Sequence, residues 1–157
     1  MARRQHKHRL TKVVSGGQTG VDRAALDVAI ELGIPHGGWC PRGRLAEDGP
    51  IPARYELLET ESSAYPLRTE RNVADSDATL ILFRGPLSGG TKLTLRLAER
   101  YGKPRLAVNL DCAQSSAEVR QWLADAAVQV LNVAGPRESQ SKGISVRATE
   151  YLREILK

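Results

Sequence analysis

Twice in this chain a strand-like run empties into a glycine-rich loop that opens at once into a helical period, and this unit constrains the fold more than any other feature. The first copy starts with the β-branched run 11–15 and turns through Gly16, Gly17, Gln18, Thr19 and Gly20. Apolar residues then recur at Val21, Ala24, Ala25, Val28, Ala29 and Leu32, the spacing of a helix with one buried face. Gly33 caps that helix and Pro35 prevents its continuation. The second copy runs from Ala78–Phe83 through a loop at 84–90 into a helical stretch at 91–101, closed by Gly102 and Pro104. An unbroken run such as Ala78–Phe83 fits a strand covered on both faces, so it is expected to be the central strand of a helix-covered sheet.

Further along, the apolar segments 106–110 and 128–134 flank residues 115–127, where Ser115 and Glu118 have the spacing of a capping box. Residues 145–156 place Val146, Tyr151, Leu152, Ile155 and Leu156 among charges, as in a closing amphipathic helix. Residues 34–63, rich in Gly, Pro and charge, suggest only short strands near 36–39 and 55–59. Strands alternating with helices predict an α/β fold, with a mainly parallel central sheet flanked by helices in three layers. In such sheets ligands sit beyond the carboxyl ends of the strands, near the point where strand order reverses. The loops at 16–20, 39–43, 84–90, 109–115 and 135–143 are therefore the candidate site loops.

With 157 residues, 41% of them hydrophobic, the chain is sized for one domain with one core, expected over residues 13–157. Aromatic residues make up only 4%, so Val, Leu, Ile and Ala must build that core. Arg3, Arg4, Lys7, Arg9 and Lys12 account for the whole formal charge of +5, and from Val13 onward 18 basic residues balance 18 acidic ones. The basicity thus belongs to an arm at residues 1–12, which reads as a solvated, mobile terminus rather than a nucleic-acid-binding element. Cys40 and Cys112 lack metal-ligand spacing, and no stretch resembles a secretory or membrane-spanning segment. The expectation is a cytoplasmic protein without a membrane partner.

Glycines at a strand-to-helix turn permit positive φ and let an anion approach the free N–H groups of the helix start, so both loops read as phosphate cradles. Their other reading is a tight turn with no ligand. The first loop lacks the Gly-Lys-Ser/Thr of a nucleotide-hydrolysing P-loop and does not match GxGxxG, which argues against ATP hydrolysis and standard NAD binding. Asp22 suits a ligand hydroxyl or the helix N-terminus. The second loop is Ser88, Gly89, Gly90 and Thr91. Between the two, Trp39 offers a flat face for a heterocycle and Arg42 or Arg44 a fork for phosphate. Cys40 reads as a small buried hydrophobe. Arg68, Thr69 and Asn72 fit either a pocket wall or the exposed face of a helix.

The segments VVSGGQTGVDRAALDVAIELGIPHGGWCPRGRLAEDGPIP, RTERNVADSDATLILFRG, LSGGTKLTLRLAERYGKP and NVAGPRES occur in an order that resembles the molybdenum cofactor carrier family. That family is related to the lysine-decarboxylase-like, cytokinin-activating nucleotide-binding proteins. The resemblance implies a Rossmann-like fold, homo-oligomerisation, and a pocket for molybdenum cofactor (molybdopterin) or a related phosphorylated heterocycle such as a nucleotide, with molybdoenzymes as acceptors. It places the first binding loop on Gly16, Gly17, Gln18, Thr19, Gly20 and Asp22, the second on Ser88, Gly89, Gly90 and Thr91, and a polar motif on Arg68, Thr69 and Asn72. The related phosphoribohydrolases carry a PGGxGTxxE pattern whose glutamate supports catalysis. Here that position is Thr94, which cannot act as an acid or base, so the resemblance points to binding without turnover unless Asp22 or Glu47 substitutes. A hydrolase of nucleoside monophosphates and a nucleotide-sensing module are the alternative functions.

Overall fold

The computed structural model describes residues 8–87 and 89–157, so Met1–Lys7 of the basic arm and Ser88 lie outside the described residues. In chain order the elements are β1 (Lys12–Val14), α1 (Val21–Glu31), β2 (His36–Gly37), β3 (Trp39–Cys40), β4 (Leu45–Ala46), β5 (Gly49–Pro50) and β6 (Leu58–Glu59). There follow α2 (Tyr65–Ala74), β7 (Ala78–Phe83), α3 (Gly89–Arg100), β8 (Arg105–Asn109), α4 (Ser116–Asp125), β9 (Val130–Ala134) and α5 (Ile144–Leu156).

Five strands form one sheet in the order β2-β1-β9-β7-β8, and every neighbouring pair is parallel. The fold is α/β, a Rossmann-like three-layer arrangement. Ala78, Leu80 and Leu82 of β7 pack with Val21, Ala25 and Val28 of α1, Val119 and Leu123 of α4, and Ile144, Ala148 and Leu152 of α5 in the larger core. By the alternation of a strand, Thr79 and Ile81 turn to the opposite face, where α2 and α3 meet through Val73, Leu97 and Ala98. Burying each of these Leu and Val side chains contributes roughly 1.5–3 kcal/mol.

The middle of the sheet differs from the sequence expectation. Ala78–Phe83 is an interior strand, and the central position belongs to β9. An apolar run reports that both faces are covered, which holds for every interior strand, and carries nothing about rank within the sheet. The strand β1 also starts inside the range assigned to the basic arm, because the N–H groups of Thr11 and Lys12 both reach Gln129 O, at 2.8 and 3.2 Å.

Residues 34–63 form a small annex on the first βαβ unit. β3 pairs with β6, β4 pairs with β5, and Leu26, Cys40, Ile51, Tyr55 and Leu57 make a separate apolar cluster beneath them. Gly38 separates β2 from β3 at φ +125°, in a place where a Cβ would lie 2.3 Å from Ser15 O. Cys40 is fully buried, as expected of a small hydrophobe, and that burial pushes its thiol pKa up. Among the described residues no helix is long and apolar enough to cross a membrane.

Candidate functional site

A cavity of about 370 Å³ opens where β1, β9 and β7 end. Crossovers leave this region in opposite directions, β1 through α1 to β2 and β7 through α3 to β8, which makes it the switch point of the sheet. Gly16, Gln18 and Asp22 line it from the first loop, Arg68, Thr69 and Asn72 from α2, and Gly89, Gly90 and Thr91 from the start of α3. The structure thus brings together nine of the residues singled out in the sequence.

The first loop uses its glycines and amides on the chain itself. A Cβ on Gly16 would lie 2.5 Å from the Arg68 guanidinium, and one on Gly20, at φ +82°, would lie 2.3 Å from Pro136 O. Thr19 N donates to Gln18 Oε1 at 3.0 Å, and Val21 N donates to Pro136 O at 3.3 Å. Gln18 N points at Asp22 Oδ2 from 3.4 Å. Gly17 and Thr19 do not line the cavity; Thr19 Oγ1 instead donates to Glu47 Oε1 and accepts from Glu138 N at 3.2 Å. The N–H groups of Thr19 and Val21 are therefore taken by acceptors of the chain itself, and Gln18 N faces the Asp22 carboxylate.

Asp22 is only 7% exposed, and its pKa is raised to about 6. Burial is the main cause, opposed by the positive charge of Arg68, the backbone N–H of Gln18, the charge of Arg23 and the N–H of Gly16. Arg68 does not bond to Asp22. It donates to Gly16 O at 2.9 Å and to Thr69 Oγ1 at 3.2 Å, with its guanidinium 5.0 Å from the centre of the Tyr65 ring.

The second loop is different in kind. Gly90 has ordinary helical backbone, and a Cβ there would meet nothing within 4 Å. Among the described residues no acceptor takes the N–H groups of Gly89, Gly90 or Thr91, which open a helix of 12 residues. Thr94, standing where the related hydrolases have glutamate, lines the cavity and turns its hydroxyl back to Gly90 O at 2.8 Å.

Three other candidates have structural duties. Asn72 uses both ends of its amide on the Trp39 backbone, accepting from Trp39 N at 2.8 Å and donating to Trp39 O at 2.9 Å. Trp39 lies outside the cavity, its indole N–H donating to Asp75 Oδ2 at 2.8 Å and its ring carrying the Arg71 guanidinium at 4.9 Å. Arg42 is exposed and also lies outside, so neither the flat face nor the fork expected of them reaches the cavity. Arg44 is absorbed in donating to Ile51 O, Pro52 O and Tyr55 O.

The cavity also contains residues that the sequence did not single out as ligand contacts, among them Tyr65, Asn132, Gly135, Arg137 and Gln140. Gly135, Arg137 and Gln140 belong to the loop 135–143 expected at the strand ends, and Asn132 has a readable signal of its own. It is a lone amide within the apolar run Val130–Ala134, 2% exposed, donating to Thr79 Oγ1 at 3.3 Å. Arg137 brings a cation to the cavity and pairs with Glu47, Nε to Oε2 at 3.3 Å. Burial works against the charge of Glu47, but hydrogen bonds from Ser139 and Thr19 together with the Arg137 cation outweigh it and hold its pKa below the ordinary value. Glu47 itself does not line the cavity. Among the described residues no group of three or more His, Cys, Asp or Glu side chains is placed to hold a metal ion.

Residues 13–156 match the circularly permutated YpsA SLOG family. A solved structure from Syntrophus aciditrophicus, named "Putative molybdenum carrier protein", shares 46% sequence identity with a TM-score of 0.92, covering 97% of this chain and 98% of that one. No curated protein matches the sequence.

Proposed function

Since the chain belongs to the circularly permutated YpsA SLOG family, we propose that it holds molybdenum cofactor or a related phosphorylated heterocycle in the cavity at the ends of β1, β9 and β7, and carries or protects it without turnover. The single observation that carries this reading is the start of α3. Gly90 is a glycine that the fold does not require, placed where N–H groups with no acceptor among the described residues and a helix dipole open into a cavity. A phosphate there would meet those amides and the Arg137 cation, while Tyr65, Pro66, Leu93 and Val133 supply apolar wall for a ring. About 370 Å³ lies at the small end of the range for ligand pockets, which suits one heterocycle and its phosphate rather than a dinucleotide.

The name of the Syntrophus protein supports the choice of cargo. Carriage implies delivery, so the reading includes a molybdoenzyme acceptor, and the family resemblance adds assembly into a homo-oligomer. The test is native mass spectrometry of protein prepared without oxygen, followed by cofactor oxidation measured with and without the protein. Retention or uptake together with slowed oxidation is the expected result. Neither uptake nor protection would overturn the proposal.

One observation favours a second reading. Asp22 is a buried carboxyl with a pKa of about 6 inside the cavity, a group poised for acid–base work of the kind a nucleoside-monophosphate hydrolase needs. Release of free base and sugar phosphate from a nucleotide panel, lost in Asp22→Asn, would establish it. Glu47 is outside the cavity and is not a candidate for that role.

A further inference from the structure

Asp22 is short of partners. A carboxylate has about four acceptor sites, and a buried one that stays charged needs donors for them. Within the protein Asp22 has one long hydrogen bond, from Gln18 N at 3.4 Å, with the Gly16 amide also turned toward it. Arg68, the cation that most favours its charged form, directs its two hydrogen bonds to Gly16 O and Thr69 Oγ1 and none to Asp22. The carboxylate is nevertheless more than nine-tenths buried and forms part of the cavity wall. A ligand in the cavity is placed to supply further donors.

Position narrows what those donors are. Asp22 stands beyond the end of β1, and the first amides of α3 stand beyond the end of β7, with β9 between the two strands. Two strand spacings put them about 10 Å apart across the sheet. A ligand with its phosphate on α3 must therefore reach Asp22 with its far end. In a nucleotide or a pterin phosphate the sugar or linker hydroxyls lie beside the phosphate, and the far end is the edge of the ring.

We infer that the cavity selects a phosphorylated heterocycle whose distal edge carries two adjacent N–H donors, the 2-amino-4-oxopyrimidine edge shared by guanine and pterin, and that Asp22 accepts that pair. This rests on the anion-holding reading above and adds the orientation and the ring class. Adenine offers a donor beside an acceptor on the corresponding edge and leaves one Asp22 oxygen facing a lone pair. Burial of the carboxylate also raises its proton affinity, as expected of an acceptor waiting for a donor.

The test is calorimetric titration of the full chain with guanosine monophosphate, adenosine monophosphate, 2′,3′-dideoxyguanosine monophosphate and inorganic phosphate at pH 7.5, a pH used here as roughly neutral and above the Asp22 titration. The guanine nucleotide is expected to bind roughly tenfold or more tightly than the adenine nucleotide, the scale of one paired donor–acceptor contact. The dideoxy form should bind as well as its parent. Asp22→Asn should weaken guanosine monophosphate and abolish its advantage over adenosine monophosphate, with a thermal melt confirming the fold. Equal or tighter adenine binding overturns the inference, as does a loss confined to the dideoxy compound, which would place the sugar on Asp22. Those results leave the anion-holding reading intact. If neither the nucleotides nor inorganic phosphate binds, that reading fails as well. The ligand panel on the unaltered chain decides the question even if the variant does not fold.

Discussion

Replacing Asp22 by Asn should make the protein more stable at neutral pH, although it removes a charge that sits near two arginines. The carboxyl titrates at about 6 in the folded chain against an ordinary 3.8, because the cost of burying the charge exceeds the help from Arg68, Arg23 and two backbone amides. A difference of about two units, at 1.36 kcal/mol each, amounts to roughly 3 kcal/mol. The sign follows from proton counting. Between these two values the folded chain holds the proton that the unfolded chain has released, so the native state loses stability as pH rises from about 4 to about 6 and then levels off. The Asn variant removes that penalty and can still accept from Gln18 N. Its advantage should be near zero below pH 4 and roughly 3 kcal/mol above pH 7, a rise in melting temperature of roughly 6–12 °C for a chain of this size. Urea or thermal unfolding of both proteins from pH 4 to pH 8 measures it. A variant less stable than its parent at pH 8, or a difference that does not change with pH, would refute the account of Asp22 as a carboxylate held at a cost.

Gly90→Ala should leave the melting temperature unchanged or raise it by up to about 1 kcal/mol equivalent, since the site is helical and open, while weakening phosphate binding measured by calorimetry. Gly135→Ala should do the reverse: a Cβ there would lie 2.2 Å from Leu82 O and 2.5 Å from Val21 Cγ2, and denaturant melts should show a loss of about 1–3 kcal/mol or more. A thiol reagent should add once under native conditions, at exposed Cys112, and twice after unfolding, when Cys40 leaves its cluster; intact-mass spectrometry counts the additions.

The sequence expresses local physics well and long-range hydrogen bonding poorly. The helix α1 is legible because its buried face repeats every turn and Gly33 adopts φ +71° just past its end. Ser115 accepts from Glu118 N at 3.2 Å, as its spacing predicts. By contrast, the short strands expected near 36–39 and 55–59 are two-residue pieces, β2, β3 and β6, whose bounds have no period to read. They exist because Asn72, 33 residues away, clamps the Trp39 backbone, and because Arg44 gathers three carbonyls. Within the candidate site the first loop is only partly legible for a related reason. Its glycines look like a phosphate cradle, and only the fold reveals that Arg68 and the Pro136 carbonyl fill the space beside Gly16 and Gly20. Tyr65 carries no local signal at all, since the cavity reaches it through the packing of α2, whereas Arg137 lies in a loop expected at the strand ends.

The two ends of the cavity make opposite electrostatic demands, and this bears on what is carried. The start of α3 with Arg137 calls for an anion, whereas Asp22, once ionised, repels one and calls for donors. A free oxyanion such as molybdate satisfies the first end and leaves the second facing nothing. An organic molecule with a phosphate at one end and N–H groups at the other satisfies both. If the cargo is the organic cofactor, molybdate alone should bind weakly to the unaltered chain, and Asp22→Asn should strengthen that binding by removing a repulsive charge while weakening the hold on a guanine-type or pterin-type ring. Equilibrium dialysis of both proteins with molybdate and with guanosine monophosphate separates the cases. Tight molybdate binding unaffected by the substitution would mean that Asp22 faces no ligand and that the cargo is the inorganic ion.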